Sequence, residues 1–224
     1  MIRAILFDFD GTIADSIDAI CAGVNQVMKS RGFPLHDYND VLKFINHGPR
    51  ELMRKALPEE YRADEAYLDG AYAEYNEAYG NVYHITNRAY DGICELVTQL
   101  HGEGYLIGVL SNKQDSFVRL LTEQILPKGT WDFSVGCMDG KPTKPHPYLT
   151  ELIMQKLGVT ASECIMIGDS DVDIKTGKNA HMPVISVTWG FRDEKFLIEN
   201  GAQYLAHTPQ ELGKIIRQIA SENV

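Results

Sequence analysis

The sequence predicts an α/β fold, a doubly wound parallel sheet carrying an inserted helical domain. Three observations lead there. Ala4-Ile5-Leu6-Phe7 is apolar at consecutive positions, as a strand buried on both faces must be, and it stops abruptly at Asp8-Phe9-Asp10-Gly11-Thr12. From residue 91 onward, short apolar runs alternate with amphipathic segments, the rhythm of a parallel sheet covered by crossover helices. Residues 15–83 break that rhythm and read as helices throughout, an all-helical insertion placed directly after the first strand.

Within the insertion, helices are expected over Ile17–Ser30, Tyr38–Ile45 and Pro49–Leu57, with one or two more across Arg62–Tyr79. Tyr72, Tyr75, Tyr79 and Tyr83 recur at spacings of three and four, a stripe expected to pack rather than to bind. The alternating part begins with a helix around Gly92–Gly102 and a strand at Tyr105–Leu110 that ends at Ser111-Asn112. A helix near Gln114–Gln124, a weaker strand at Phe133–Cys137 and a helix at Pro147–Leu157 follow. Cys164–Ile167 reads as a strand ending at Gly168-Asp169, then Asp173–Asn179 as a helix and Val184–Val187 as a strand. Leu212, Ile215, Ile216 and Ile219 set the final helix at about Pro209–Ala220.

Charge and cysteine content exclude several classes. A formal net charge of −10 argues against a polyphosphate or nucleic-acid surface, though not against a small anionic substrate. Cys21, Cys94, Cys137 and Cys164 are too dispersed for a zinc site or a disulfide framework. No apolar run approaches the roughly 18 residues of a membrane span, and a cytoplasmic setting is expected.

The chemistry gathers where strands end. Asp8 and Asp10, two residues apart, project to one side if strand geometry persists, so they could share a metal or divide nucleophilic and acid/base roles. Asp-Gly is also a common turn, and Gly11 permits either a turn or close approach to a ligand. Gly168-Asp169-Ser170-Asp171-Val172-Asp173 spaces its acids like a calcium loop. Ile174 and Ala180 stand where that loop needs glycine and glutamate, so Mg²⁺ suits the cluster better. Lys144, in Lys144-Pro145-His146-Pro147, offers a cation in a loop stiffened by two prolines. Ser111 and Asn112 could cap a helix, bind phosphate at its amino end, or do both. In a parallel sheet all of these ends meet along one edge.

Taken in order, Asp8-Phe9-Asp10-Gly11-Thr12, Ser111-Asn112, Lys144-Pro145 and Gly168-Asp169 with Asp173 resemble the haloacid dehalogenase-like superfamily of phosphohydrolases. The resemblance covers the whole chain. It implies a Rossmann-like core from 1–14 and 84–224 and a helical cap domain at 15–83 that closes over the site. Asp15-Ser16, Ser111-Asn112-Lys113 and the cap segment His47-Gly48-Pro49-Arg50 look most like the phosphoglycolate phosphatase group. By this resemblance Asp8 is the nucleophile and Asp10 the acid/base. Mg²⁺ would bind the Asp8 carboxylate, the Asp10 carbonyl and Asp169, with Asp173 supporting the metal shell or Lys144. Gly11, Thr12, Ser111, Asn112 and Lys144 would surround the phosphate, Thr12 bracing the loop, while Arg50 meets the rest of the substrate. The implied partner is a small phosphorylated metabolite, 2-phosphoglycolate first, for a monomer or homodimer with no nucleic acid and no membrane. The alternatives are a phosphomutase resembling β-phosphoglucomutase, a pyrophosphatase, or a non-catalytic regulatory protein. His181 departs from the pattern where relatives carry glycine, so a local backbone adjustment is expected there.

Overall fold

In a computed structural model, which describes residues 1–86 and 88–222, the chain forms two compact units. One joins Met1–Ala14 to Ala89–Val224 and the other is Asp15–Arg88. Along the chain, β1 (Ala4–Phe7) and β2 (Ala14–Asp15) precede α1 (Ile17–Ser30), α2 (Tyr38–Phe44), α3 (Pro49–Ala56) and α4 (Glu65–Thr86). Next come β3 (Arg88–Ala89), α5 (Ile93–Gly102), β4 (Leu106–Gln114), α6 (Asp115–Ile125) and β5 (Phe133–Cys137). The remainder is α7 (Tyr148–Leu157), β6 (Cys164–Gly168), α8 (Asp171–Asn179), β7 (Val184–Val187), α9 (Glu194–Glu199), β8 (Tyr204–Ala206) and α10 (Pro209–Glu222).

Six strands pair in parallel in the order β5-β4-β1-β6-β7-β8. Ala4 of β1 lies opposite Leu106 on one side and Cys164 on the other, so this strand has a neighbour on each edge. From it the chain winds outward through β4 and β5, then returns to wind the other way through β6, β7 and β8. That reversal leaves a crevice at the carboxyl end of β1. Both faces of the strand are covered. Leu6 packs with Leu110, Met166 and the α7 residues Leu149 and Ile153, while Ile5 and Phe7 alternate to the opposite face and are equally buried. Gly108 lets α7 sit close, since a Cβ there would stand 2.7 Å from both Leu6 Cδ2 and Ile153 Cδ1.

The helical unit is built on α1 and α4. Gly23 of α1 gives Tyr75 its room, for a Cβ at that position would lie 3.0 Å from the Tyr75 ring. Tyr75, Tyr79 and Tyr83 stack with centroids 5.9 and 6.4 Å apart, so the tyrosine stripe is packing. Arg31, just past α1, holds Glu74 of α4 through Nε and Nη2 at 3.1 and 2.9 Å. Helix α4 continues past Tyr79 to Thr86, and the unit accordingly runs to Arg88 rather than ending at residue 83. The chain passes between the units at β2 and β3, which pair as a two-stranded ribbon.

Elsewhere the structure departs from expectation in β4 and in several short elements, and meets it at His181. Strand β4 does not stop at Leu110 but carries Ser111 and Asn112 within it, and α6 starts only at Asp115. The pair therefore does not cap a helix. Helix α9 and strands β2, β3 and β8 were not anticipated; at six residues or fewer they are too short to display a period. His181 adopts φ 58°, the left-handed conformation that glycine takes without strain. Its side chain is exposed, so the adjustment is confined to the backbone of the turn after α8.

His181→Gly is expected to stabilise the protein by up to about 1 kcal/mol, since a Cβ in this conformation costs about 1–2 kcal/mol and glycine's greater unfolded-state freedom returns part of that. Urea unfolding of both proteins measures the difference. A less stable glycine variant would count against strain at this turn.

Candidate active site

Asp8 extends β1 by one residue. Its N–H donates to Ile167 O at 2.9 Å, continuing the ladder with β6, and its Oδ1 accepts from the Phe9 N–H at 2.7 Å. Strand geometry then ends. The Phe9 carbonyl accepts from the N–H groups of Ile13 at 3.0 Å and Ala14 at 2.9 Å, so the chain coils around it. Gly11 supplies φ 80° in that coil. Asp8 and Asp10 consequently do not share one partner: Asp8 faces Lys144, whereas Asp10 Oδ1 accepts from Lys113 Nζ at 2.7 Å.

Lys144 reaches the site from the loop before α7, and its side chain is only 2% exposed. Its ammonium lies 2.9 Å from Asp8 Oδ1 and 2.7 Å from Asp173 Oδ1. Asp173 is fixed in turn by the α8 cap. Ser170 Oγ donates to Asp173 Oδ2 at 2.6 Å and accepts from the Asp173 N–H at 3.3 Å, a capping box in which the acid replaces the usual glutamate. The Lys144 backbone is fixed by Asn112, whose amide accepts from the Lys144 N–H at 2.7 Å and donates to the Lys144 carbonyl at 2.9 Å. Asn112 thus serves Lys144 through its side chain, a part that sequence reasoning did not assign to it.

Asp169 follows β6. Its Oδ2 accepts from the Phe191 N–H at 2.7 Å and its Oδ1 from Thr12 Oγ1 at 3.4 Å, so Thr12 braces the acid. Gly11 and Gly190 both abut this carboxyl group, and a Cβ on either would overlap it. Glycine is required at each for close approach. Ser111 is buried, and its Oγ accepts from the Lys113 N–H at 3.3 Å. Arg50 belongs to the helical unit, on α3, where Nη2 binds Glu65 at 2.6 Å and Asp69 at 2.7 Å. Lys113, Ser170 and the Phe191 amide were missed as contributors. The signal for Lys113 was its place immediately after Ser111-Asn112; a backbone amide such as that of Phe191 carries none.

The electrostatics are those of crowded, buried acids. Burial first, then the neighbouring Asp173 charge, pushes the Asp8 carboxyl up to about 7, with Lys144 pulling the other way. Burial, with Asp173 and Asp8, raises Asp169 well above the carboxylate range. Burial works to lower Lys144, but Asp173 and Asp8 outweigh it and hold the ammonium above its ordinary value. Oxygens of Asp8, Asp169 and Asp173 lie within 4.8 Å of one another. Fully ionised, the three acids exceed the single Lys144 charge by two. An all-oxygen donor set with that excess fits a hard divalent cation. Both oxygens of Asp173 are engaged, Oδ1 by Lys144 and Oδ2 by Ser170, whereas Asp8 meets Lys144 and the Phe9 N–H through Oδ1. The Asp10 carboxylate is not part of this cluster.

Comparison with known proteins places this geometry in context. The family model for haloacid dehalogenase-like hydrolases matches residues 5–187. A phosphoglycolate phosphatase of Xanthomonas campestris pv. campestris is 28% identical over 194 residues, covering 85% of each chain. One of Vibrio parahaemolyticus is 26% identical over 222 residues, covering 96% of each. Among solved structures, a predicted phosphatase from Clostridium acetobutylicum superposes with TM-score 0.86 at 28% identity, over 97% of this chain and 99% of that one.

Replacing Asn112 with alanine leaves the buried Lys144 N–H and C=O without these partners, so a loss of about 1–3 kcal/mol in unfolding free energy is expected. Denaturant unfolding tests it. Wild-type stability would mean that the amide clasp contributes nothing to holding the loop.

Proposed function

The chain belongs to the haloacid dehalogenase-like hydrolases, and on that footing we propose that it is a Mg²⁺-dependent phosphatase of a small phosphorylated metabolite, 2-phosphoglycolate first. The observation that carries the reading is the buried contact of Asp8 with Lys144 beside Asp169, a nucleophile, a cation for phosphoryl oxygens and a metal-binding acid at one sheet edge. The names of the similar proteins support the substrate.

In this reading Asp8 attacks phosphorus, the ester P–O bond breaks, and an aspartyl phosphate divides one hard displacement into two easier ones. Asp10 gives its proton to the departing alkoxide, then takes one from the water that releases phosphate. Lys144 and Ser111 Oγ, with the Asn112 N–H, receive phosphoryl oxygens as charge shifts in the transition state. Thr12 keeps Asp169 in place, and Asp173 keeps Lys144 in place. The carboxylates of Asp8 and Asp169 and the Asp10 carbonyl would hold Mg²⁺. When bound, the ion supplies charge neutralisation between an anionic nucleophile and an anionic substrate.

Asp8→Asn keeps the shape and removes the nucleophile, so turnover is expected to fall by about three orders of magnitude or more. Chelation should abolish wild-type activity and Mg²⁺ should restore it. Near-wild-type turnover by a contaminant-free Asp8→Asn preparation, or activity indifferent to chelator, would sink the mechanism.

Arg50 is proposed to recognise the substrate carboxylate. Its present pairs with Glu65 and Asp69 are exposed, and exposed ion pairs contribute at most about 1 kcal/mol, so exchanging them for a substrate anion costs little. Arg50→Ala should lower kcat/KM for 2-phosphoglycolate about tenfold while sparing an aryl phosphate. A panel of phosphorylated metabolites with Mg²⁺ tests the substrate itself; 2-phosphoglycolate ranking behind sugar phosphates or pyrophosphate would remove it and leave the phosphatase standing.

A further inference from the structure

Lys113 has no part in the reaction as described, yet its side chain is only 7% exposed. Its ammonium lies 2.7 Å from Asp10 Oδ1 and 5.9 Å from the centre of the buried Phe9 ring. Withdrawing an ammonium from water is costly and persists where a counter-charge receives it; here a carboxylate and a ring face do so.

The backbone beneath Lys113 is held by independent contacts. Strand β4 leaves its regular pairing with β5 between Leu110↔Val135 and Gln114↔Cys137, so it carries more residues than its partner across that interval. Gly136 of β5 makes room for the arch, since a Cβ there would stand 2.6 Å from Asp115 Cα and overlap the Lys113 carbonyl. The Gly136 N–H donates to Asp115 Oδ1 at 2.8 Å, and Ser111 Oγ receives the Lys113 N–H. Carrying the β1–β4 register past Phe7↔Val109 would bring Asn112 opposite Asp10; the arch brings the Lys113 ammonium to it instead. Asp10 itself stands where β1 has given way to the coil around Phe9 O, so its carboxylate is oriented from the neighbouring strand.

We propose that Lys113 is a positioning residue for Asp10, holding its Oδ1 so that a proton carried on the other carboxyl oxygen in the acid step reaches the leaving oxygen. This rests on the acid/base assignment of Asp10 made above. Lys113 acts through Asp10 and does not touch the phosphoryl group.

The test is steady-state kinetics of the full chain with Mg²⁺ on 2-phosphoglycolate, an alkyl ester, and 4-nitrophenyl phosphate, whose leaving group needs little protonation. Lys113→Met should lower kcat about tenfold on the alkyl ester and less than about twofold on the aryl ester, with KM within about twofold on both. Lys113→Arg should recover most of the lost turnover. Adding Lys113→Met to Asp10→Asn should cost no more than about twofold further, because a residue that works through Asp10 has nothing left to act on. Losses that multiply in the double variant, or a loss confined to KM, would overturn the proposal. So would an equal loss on both esters when Asp10→Asn discriminates between them. If Asp10→Asn alone fails to discriminate, the acid/base assignment falls, and the double variant still decides whether Lys113 works through Asp10. Melting temperatures accompany each variant; should Lys113→Met not fold, Lys113→Gln and Lys113→Arg carry the same comparison.

Discussion

Three buried carboxylates gather about one buried ammonium, and much of the unit built on the six-stranded sheet is arranged to tolerate that. Lys144 stands between Asp8 and Asp173, while Asp169 completes the acidic group. An ion pair removed from water recovers its desolvation only when further hydrogen bonds satisfy the remaining lone pairs and protons. The partners are present: Ser170 for Asp173, the Phe9 amide for Asp8, the Phe191 amide and Thr12 for Asp169. Even so, Asp8 and Asp169 hold protons more tightly than free carboxylates do. Fully ionised, the three acids would exceed the one ammonium by two charges, an excess that suits a divalent cation.

The same requirement accounts for the glycines around the cluster. Gly11, Gly168 and Gly190 each abut an acid of the group, and a Cβ at any of them would overlap that side chain. Packing several carboxylates into a small volume leaves backbone, with no side chain, as the remaining wall. Beyond those glycines, support comes from both neighbours of β1. Strand β6 delivers Asp169 and the α8 cap, and β4 delivers Asn112 and Lys113. The Asn112 side chain makes both hydrogen bonds of a ladder partner to the Lys144 backbone, so a loop far along the chain is stitched to the sheet.

Two acids two residues apart illustrate how a local rule can be right in kind and wrong in reach. Alternation along a strand puts Asp8 and Asp10 on one side, but the rule expires where the strand does, at Phe7. The coil around the Phe9 carbonyl, with Gly11 in the left-handed region, redirects Asp10 towards Lys113. Separation of the two carboxylates suits different roles for them, since each then has its own cation. A comparable surprise at Ser111-Asn112 has the same origin: whether a strand ends or arches depends on its neighbour, here on Gly136 of β5.

The layout of the molecule is already legible in the order of its residues. Consecutive apolar positions at Ala4–Phe7 and Cys164–Ile167 mark strands that must be covered on both faces, and amphipathic spacing marks the helices that cover them. Asp8, Asp10 and Asp169 were legible as polar groups where strands end, Ser111-Asn112 as polar residues after an apolar run, Lys144 as a cation in a proline-flanked loop, and the helical insertion as a change of period. Tertiary structure alone decided who meets whom. Lys113 with Asp10, Asn112 with the Lys144 backbone, and the Phe191 amide with Asp169 join residues separated by 103, 32 and 22 positions. No local pattern encodes those partnerships. They follow from strand order, from the arch in β4 and from the space that glycine leaves, all of which exist only once the sheet has closed around β1.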